Sequence, residues 1–181
     1  TSTVPSSFSD HGDGTYTVTT GTLANGLAGN LQVTITDTAG NESPLSGAVS
    51  VSVDTAKPSA PTLAVADDTG VDDTSNSVLL TSDVSLTLTV VSAEPGELRL
   101  YDGGVLVPGT DYNVSGPVDN GGAAEYTVAF NQDAADGDTF ALSATITDLA
   151  GNESQHSAVR SVQIDTTAPD APSMTVADDT G

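Results

Sequence analysis

The chain has 181 residues, 25 acidic side chains against three basic ones, a formal net charge of −22, and neither cysteine nor tryptophan. Three cations build no basic face for nucleic acid or an anionic membrane, no apolar run approaches the ~20 residues of a membrane span, and nothing at the N-terminus reads as a signal peptide. Without cysteine there are no disulfides, zinc–thiolate centres or thiol nucleophiles, so the carboxylates are either solvated or met by cations from outside the chain.

Val, Leu and Thr in short runs between Gly, Pro, Asp and Asn predict β structure throughout. A first strand is expected at 49–54. The segment Asp54-Thr55-Ala56-Lys57-Pro58-Ser59-Ala60-Pro61 then reads as a joint, because its prolines fix φ and stiffen the backbone. Strands follow at 62–66, 84–91, 97–101, 112–115, 124–130, 139–148 and 159–165. In the second of these Val84, Leu86, Leu88 and Val90 alternate with Ser85, Thr87 and Thr89, which gives one buried face. Tyr126, Val128 and Phe130 share a face of the fifth, and Phe140, Leu142, Ala144 and Ile146 a face of the sixth. Tyr16, Tyr126, Phe130 and Phe140 therefore read as core. No stretch holds helical spacing over three turns.

The chain repeats itself. Thr34-Ile35-Thr36-Asp37-Thr38-Ala39-Gly40-Asn41-Glu42-Ser43 returns as Thr145-Ile146-Thr147-Asp148-Leu149-Ala150-Gly151-Asn152-Glu153-Ser154, 111 residues later. Asp54 to Pro61 returns at the same offset as Asp165 to Pro172, and Val65-Ala66-Asp67-Asp68-Thr69-Gly70 returns as Val176 to Gly181. The boundaries fall near 57 and 168. Residues 1–57 read as the C-terminal part of one unit, 58–168 as a complete unit, and 169–181 as the opening strand of a third. This is a piece of a tandem array of about 1.6 copies. Seven short antiparallel strands in about 110 residues are the pattern of an all-β, immunoglobulin-like sandwich.

Together, the Asp-Thr-x-x-Pro-x-Ala-Pro joint, the Thr-Asp-x-Ala-Gly-Asn-x-Ser turn and the Val-Ala-Asp-Asp-Thr-Gly turn resemble the bacterial Ig-like repeats of giant, type I-secreted, biofilm-forming surface adhesins. The resemblance covers essentially the whole chain. It implies an extracellular rod on a Gram-negative cell, built from spacer repeats, with calcium bound within and between domains and adhesion sites near a distal tip. Before Tyr16 the first copy departs strongly from the second, so no ligation is carried over there.

Strand order in a sandwich decides which loops share an end. Asp67, Asp68, Asp72 and Asp73 fall at one end of the complete unit with Asp133, Asp136, Asp138 and Asp165. The turn from Asp148 to Ser154 falls at the other end with Glu94 and Glu97, toward Asp54. Clustered carboxylates repel one another, and a hard divalent cation reverses that sign. Calcium takes six to eight oxygens in flexible geometry, which Asp, Asn and loop carbonyls supply. Asp67, Asp68, Asp72, Asp136, Asp165, Asp54, Asp148 with Asn152, and Asp37 with Asn41 are thus the candidate Ca2+ ligands. The competing reading is that Asp and Asn cap these turns without metal. No EF-hand spacing or glycine-rich calcium nonapeptide is present. Glu42 and Glu153 are expected to be solvated, Arg99 and Arg160 to form surface ion pairs, and His11 and His156 to have no transition-metal role.

The function expected is a structural extender that is not an enzyme. Its partners are calcium and neighbouring repeats of the same chain, it is monomeric, and it touches neither nucleic acid nor membrane. The alternative is an Ig-like module that binds a glycan or a host protein. Loop aromatics would favour that alternative, and the chain has almost none.

Overall fold

The computed structural model describes residues 7–66, 72–73 and 78–175, with only the backbone at 72–73. Among them it has strands and no helix. Two compact units divide at Lys57 and Pro58.

The first unit has four short strands. β1 (Ser7–Asp10) pairs with β2 (Tyr16–Thr19), and β3 (Ala28–Leu31) with β4 (Val49–Ser52), both antiparallel. Phe8 stacks on Tyr16 with ring centroids 5.6 Å apart.

The second unit continues with β5 (Thr62–Val65), β6 (Asp72–Asp73), β7 (Val78–Thr81), β8 (Thr87–Ser92) and β9 (Glu97–Asp102). It ends with β10 (Val105–Leu106), β11 (Tyr112–Asn120), β12 (Ala123–Phe130), β13 (Thr139–Thr147) and β14 (Arg160–Ile164). One sheet has the order β11-β12-β8-β5 and the other β10-β9-β13-β14-β7-β6. This is the strand order of an Ig-like sandwich. The inner faces pack Leu86, Leu88, Val90, Tyr126 and Val128 against Leu79, Leu100, Leu142, Ala144, Ile146, Val162 and Ile164. Alternation along β8, β12 and β13 thus places the apolar residues as their period of two requires.

The strand pattern departs from expectation in several places: the short strands β1, β2, β3, β6 and β10 match none of the expected ones. β7 was not anticipated, and it pairs parallel with β14, Val162 opposite Leu79, so the unit is not wholly antiparallel. The strand expected from Val84 starts only at Thr87, although Leu86 remains buried. β11 runs on to Asn120 beyond a register shift between Ser115 and Val118; Pro117, inside that shift, has no N–H to donate.

The repeat survives in three dimensions. Ala28 opposite Ser52 and Leu31 opposite Val49 reproduce Thr139 opposite Gln163 and Leu142 opposite Arg160. Burial does not follow. Ile35 is 46% exposed where Ile146 is fully buried, and Leu31 is 44% exposed where Leu142 is fully buried. Among the described residues the first unit carries counterparts of β11 to β14 without those of β5 to β9, and its apolar residues stay exposed.

A device absent from the sequence reading holds the segment after the Asp148 turn to β13. Ser154 N–H donates to Ile146 O (2.9 Å) and Ser157 N–H to Ala144 O (2.9 Å). The Ser154 and Ser157 hydroxyls accept from Ile146 N–H and Ala144 N–H, each at 3.0 Å. Ser43 and Ser46 do the same for Ile35 and Val33 in the first unit. Side-chain oxygens thereby replace a missing strand's carbonyls, and buried backbone donors stay satisfied.

Candidate functional site

At the end where β14 runs out, the loop between β12 and β13 grips the joint. Gly137 N–H donates to Ile164 O (2.9 Å) and Ile164 N–H to Asp138 O (2.9 Å). Asp136 Oδ1 accepts from Thr166 N–H at 2.7 Å, and its Oδ2 accepts from the Thr167 hydroxyl at 3.0 Å. These bonds, the Thr166 N–H foremost, hold the Asp136 carboxyl below the usual aspartate value. Asp165 Oδ1 accepts from Thr167 N–H (3.0 Å), and Asp165 N–H donates to Thr81 O (2.9 Å). Asp136 and Asp165 therefore both bind the first residues of the joint. Asp67 and Asp68 lie outside the described residues. Asp72 is placed by its backbone alone, opposite Leu79 in β6.

At the opposite end Asp148 closes its turn. Oδ1 accepts from Ala150 N–H and Asn152 N–H, both at 2.8 Å, and Oδ2 accepts from the Asn152 side-chain amide at 2.9 Å. Asp148 N–H donates back to Asn152 O at 3.1 Å, and Gly151 takes a positive φ of 89° to complete the turn. Asp37 repeats the arrangement with Ala39 N–H, Asn41 N–H and the Asn41 amide at 2.9, 2.8 and 2.9 Å. In both turns the asparagine side chain leads the donors that pull the carboxyl below the usual aspartate value. Asp54 Oδ1 accepts from Ala56 N–H (2.9 Å) in the joint after β4.

Among the described residues no three acidic or histidine side chains gather closely enough to hold a metal ion. Asp148 with Asn152, and Asp37 with Asn41, present N–H donors to their carboxylates and so account for these turns without a cation. A calcium cage takes six to eight oxygens, more than the Asp136 and Asp165 carboxylates supply by themselves.

The outer face of β9 and β13 carries a polar cluster that the sequence reading split into separate surface residues. Glu153, expected to be solvated, is half-buried; its Oε1 accepts from the Thr145 hydroxyl (2.8 Å) and the Tyr101 hydroxyl (3.2 Å). Those bonds, Thr145 first, together with the charges of Arg99 and His156, hold its carboxyl below the usual glutamate value. Tyr101 packs on His156 at 4.4 Å, and Arg99 pairs with Glu97 at 3.3 Å. The Ser143 hydroxyl lies 3.2 Å from His156 Nδ1, but Ser143 is buried, so this Ser–His pair offers no accessible nucleophile. The missed signal was the even spacing of Arg99 with Tyr101 and of Ser143 with Thr145, which sets each pair on one face of its strand.

A ten-strand sandwich with hydrogen-bonded acidic turns at both ends and a proline-bearing exit defines an Ig-like module with a built joint. The model of the bacterial Ig-like domain family matches residues 56–166, more than half of the sequence, and the chain belongs to that family. Comparison with curated proteins and with solved structures gives no match. No helix among the described residues is long and apolar enough to cross a membrane.

Proposed function

We propose that the chain is part of an extender: a tandem array of Ig-like spacer repeats in a bacterial surface adhesin, without enzymatic activity of its own. The observation that carries this reading is the return of joint and turns at an offset of 111 residues, with one period matched by the family. An array of similar sandwiches gains length with each copy, and a strand of nine or ten residues already spans ~30 Å. The net charge of −22 keeps neighbouring chains apart.

Calcium is proposed as the missing counter-charge. It would engage Asp67, Asp68, Asp72, Asp136 and Asp165 of the complete unit, Asp148 with Asn152 and its repeat Asp37 with Asn41, and Asp54 in the joint, stiffening successive joints. The grip of Asp136 on Thr166 and Thr167 supports this reading, because it already ties a loop of the sandwich to the linker. Export to the surface of a Gram-negative cell by type I secretion, and a role in adhesion and biofilm, follow from the same reading. Extracellular calcium sites bind with dissociation constants on the order of 10⁻⁴–10⁻³ M, so millimolar calcium should raise the melting temperature and excess chelator should reverse it. Identical melting curves in calcium and in chelator would overturn the calcium part of the proposal.

A further inference from the structure

Between the two sheets, at the end that carries the Asp136 loop, a cleft of about 380 Å³ opens beside the core. Its floor is apolar: Leu86, Val107, Phe130 and Phe140 line it, with the two rings 6.0 Å apart and tilted by 45°. Its wall carries four carboxylates, Asp102, Asp111, Asp133 and Asp138. The chain's three cations are Lys57, Arg99 and Arg160, and none of them lines the cleft.

The wall is pre-formed. Asp102 Oδ1 accepts from Ala141 N–H (2.7 Å), Asp133 Oδ1 from the Ser85 hydroxyl (2.7 Å) and Asp138 Oδ2 from Ala135 N–H (2.7 Å). Asp111 takes the Thr110 hydroxyl at 3.0 Å, and Asn131 N–H donates to Asp111 O at 2.9 Å. One oxygen of each carboxylate thus fixes it to the wall, and the other has no partner among the described residues.

We propose that this cleft binds an organic cation with an apolar body, of the class of alkyl- and arylalkyl-ammonium ions. Three observations select that class. The size falls in the range of small-molecule pockets. Phenyl faces beside carboxylates suit an ammonium group carried on an apolar stem, through cation–π contact and charge. A bare metal ion is disfavoured, because no three acids among the described residues converge on one point. The inference is independent of the extender reading and adds a ligand site to it.

The test is a methyl and amide NMR titration of the whole chain with phenethylammonium and with phenethyl alcohol, its neutral counterpart, at physiological salt. Saturable shifts at Leu86, Val107, Phe130 and Phe140 are expected, with the alcohol about tenfold weaker. The double substitution Asp133→Asn, Asp138→Asn keeps an acceptor oxygen at each position; it should weaken the ammonium and leave the alcohol unchanged. Asp119→Asn, near the end of β11 and outside the cleft lining, should change neither. Non-saturating shifts spread over the acidic surface, or equal affinity for ammonium and alcohol, would overturn the proposal. The second comparison needs only the unaltered chain, so it stands even if the double variant fails to fold.

Discussion

Replacing Tyr126 by phenylalanine removes one oxygen and cuts the tie between the two sheets. Tyr126 stands in β12, and its hydroxyl donates to Gly96 O (2.9 Å) while accepting from Gly96 N–H (2.8 Å), just before β9 in the other sheet. Gly96 is packed closely against its neighbours. A Cβ there would lie 2.3 Å from Thr147 O and 2.6 Å from Ile146 Cγ2, so the turn is pressed against β13. The phenyl ring of the variant fills the same space, which leaves the apolar burial intact. What is lost is the pairing of two half-buried backbone groups, at ~1–3 kcal/mol for each group left unsatisfied. Water reaches the turn in part, which lowers the sum to about 2–3 kcal/mol. For a unit of roughly 110 residues that corresponds to about 8–12 °C in melting temperature. Urea unfolding followed by circular dichroism reads the change directly, with an unaltered slope expected because the exposed surface is the same. A loss below ~0.5 kcal/mol would show that water replaces the hydroxyl freely and that the inter-sheet tie contributes nothing.

The repeat allows one substitution to be compared in two settings. Leu142→Ala removes a fully buried side chain and should cost about 2–5 kcal/mol, whereas Leu31→Ala, at the equivalent but 44% exposed position, should cost under ~1 kcal/mol in the same urea assay. Equal costs would mean that the first unit buries its inner face after all. Asp148 and Asp37 should titrate below ordinary aspartate in a carbon-detected NMR series, because N–H donors stabilise the charged form. A depressed folded value adds stability above the unfolded value and loses it as pH falls through the folded one. Asp148→Asn should therefore flatten the stability loss below about pH 4, and an ordinary Asp148 titration would remove the capping reading.

The fold was legible where apolar residues alternate with polar ones along a strand. β8, β12 and β13 each pack one face on the core, so the alternation of Leu86 to Val90, Tyr126 to Phe130 and Phe140 to Ile146 announced them. β7 was not legible. Its Val-Leu-Leu run has no alternation in residue type, although only Leu79 and Thr81 are buried, and its place beside β14 is a long-range parallel pairing. Nothing in the spacing of Ser154 and Ser157 signals their role, and only the path of the chain past β13 shows their hydroxyls standing in for carbonyls. Asp136 and Asp165 were expected at one end, and the structure shows both bonded to residues 166 and 167. The cleft was invisible for a different reason. Asp102 ends β9 while Asp111 and Asp133 sit in two separate loops, and no local spacing relates them until the sheets pack.

The central claim is that calcium stiffens this acidic array, and small-angle scattering tests it most directly. The maximum dimension of the 181-residue chain should increase and its distance distribution sharpen in millimolar calcium, and excess chelator should reverse both changes. Asp54→Asn, in the linker that joins the two units, should weaken the response. Profiles that superimpose with and without calcium would contradict the account and leave the carboxylates as turn caps and solvated charge.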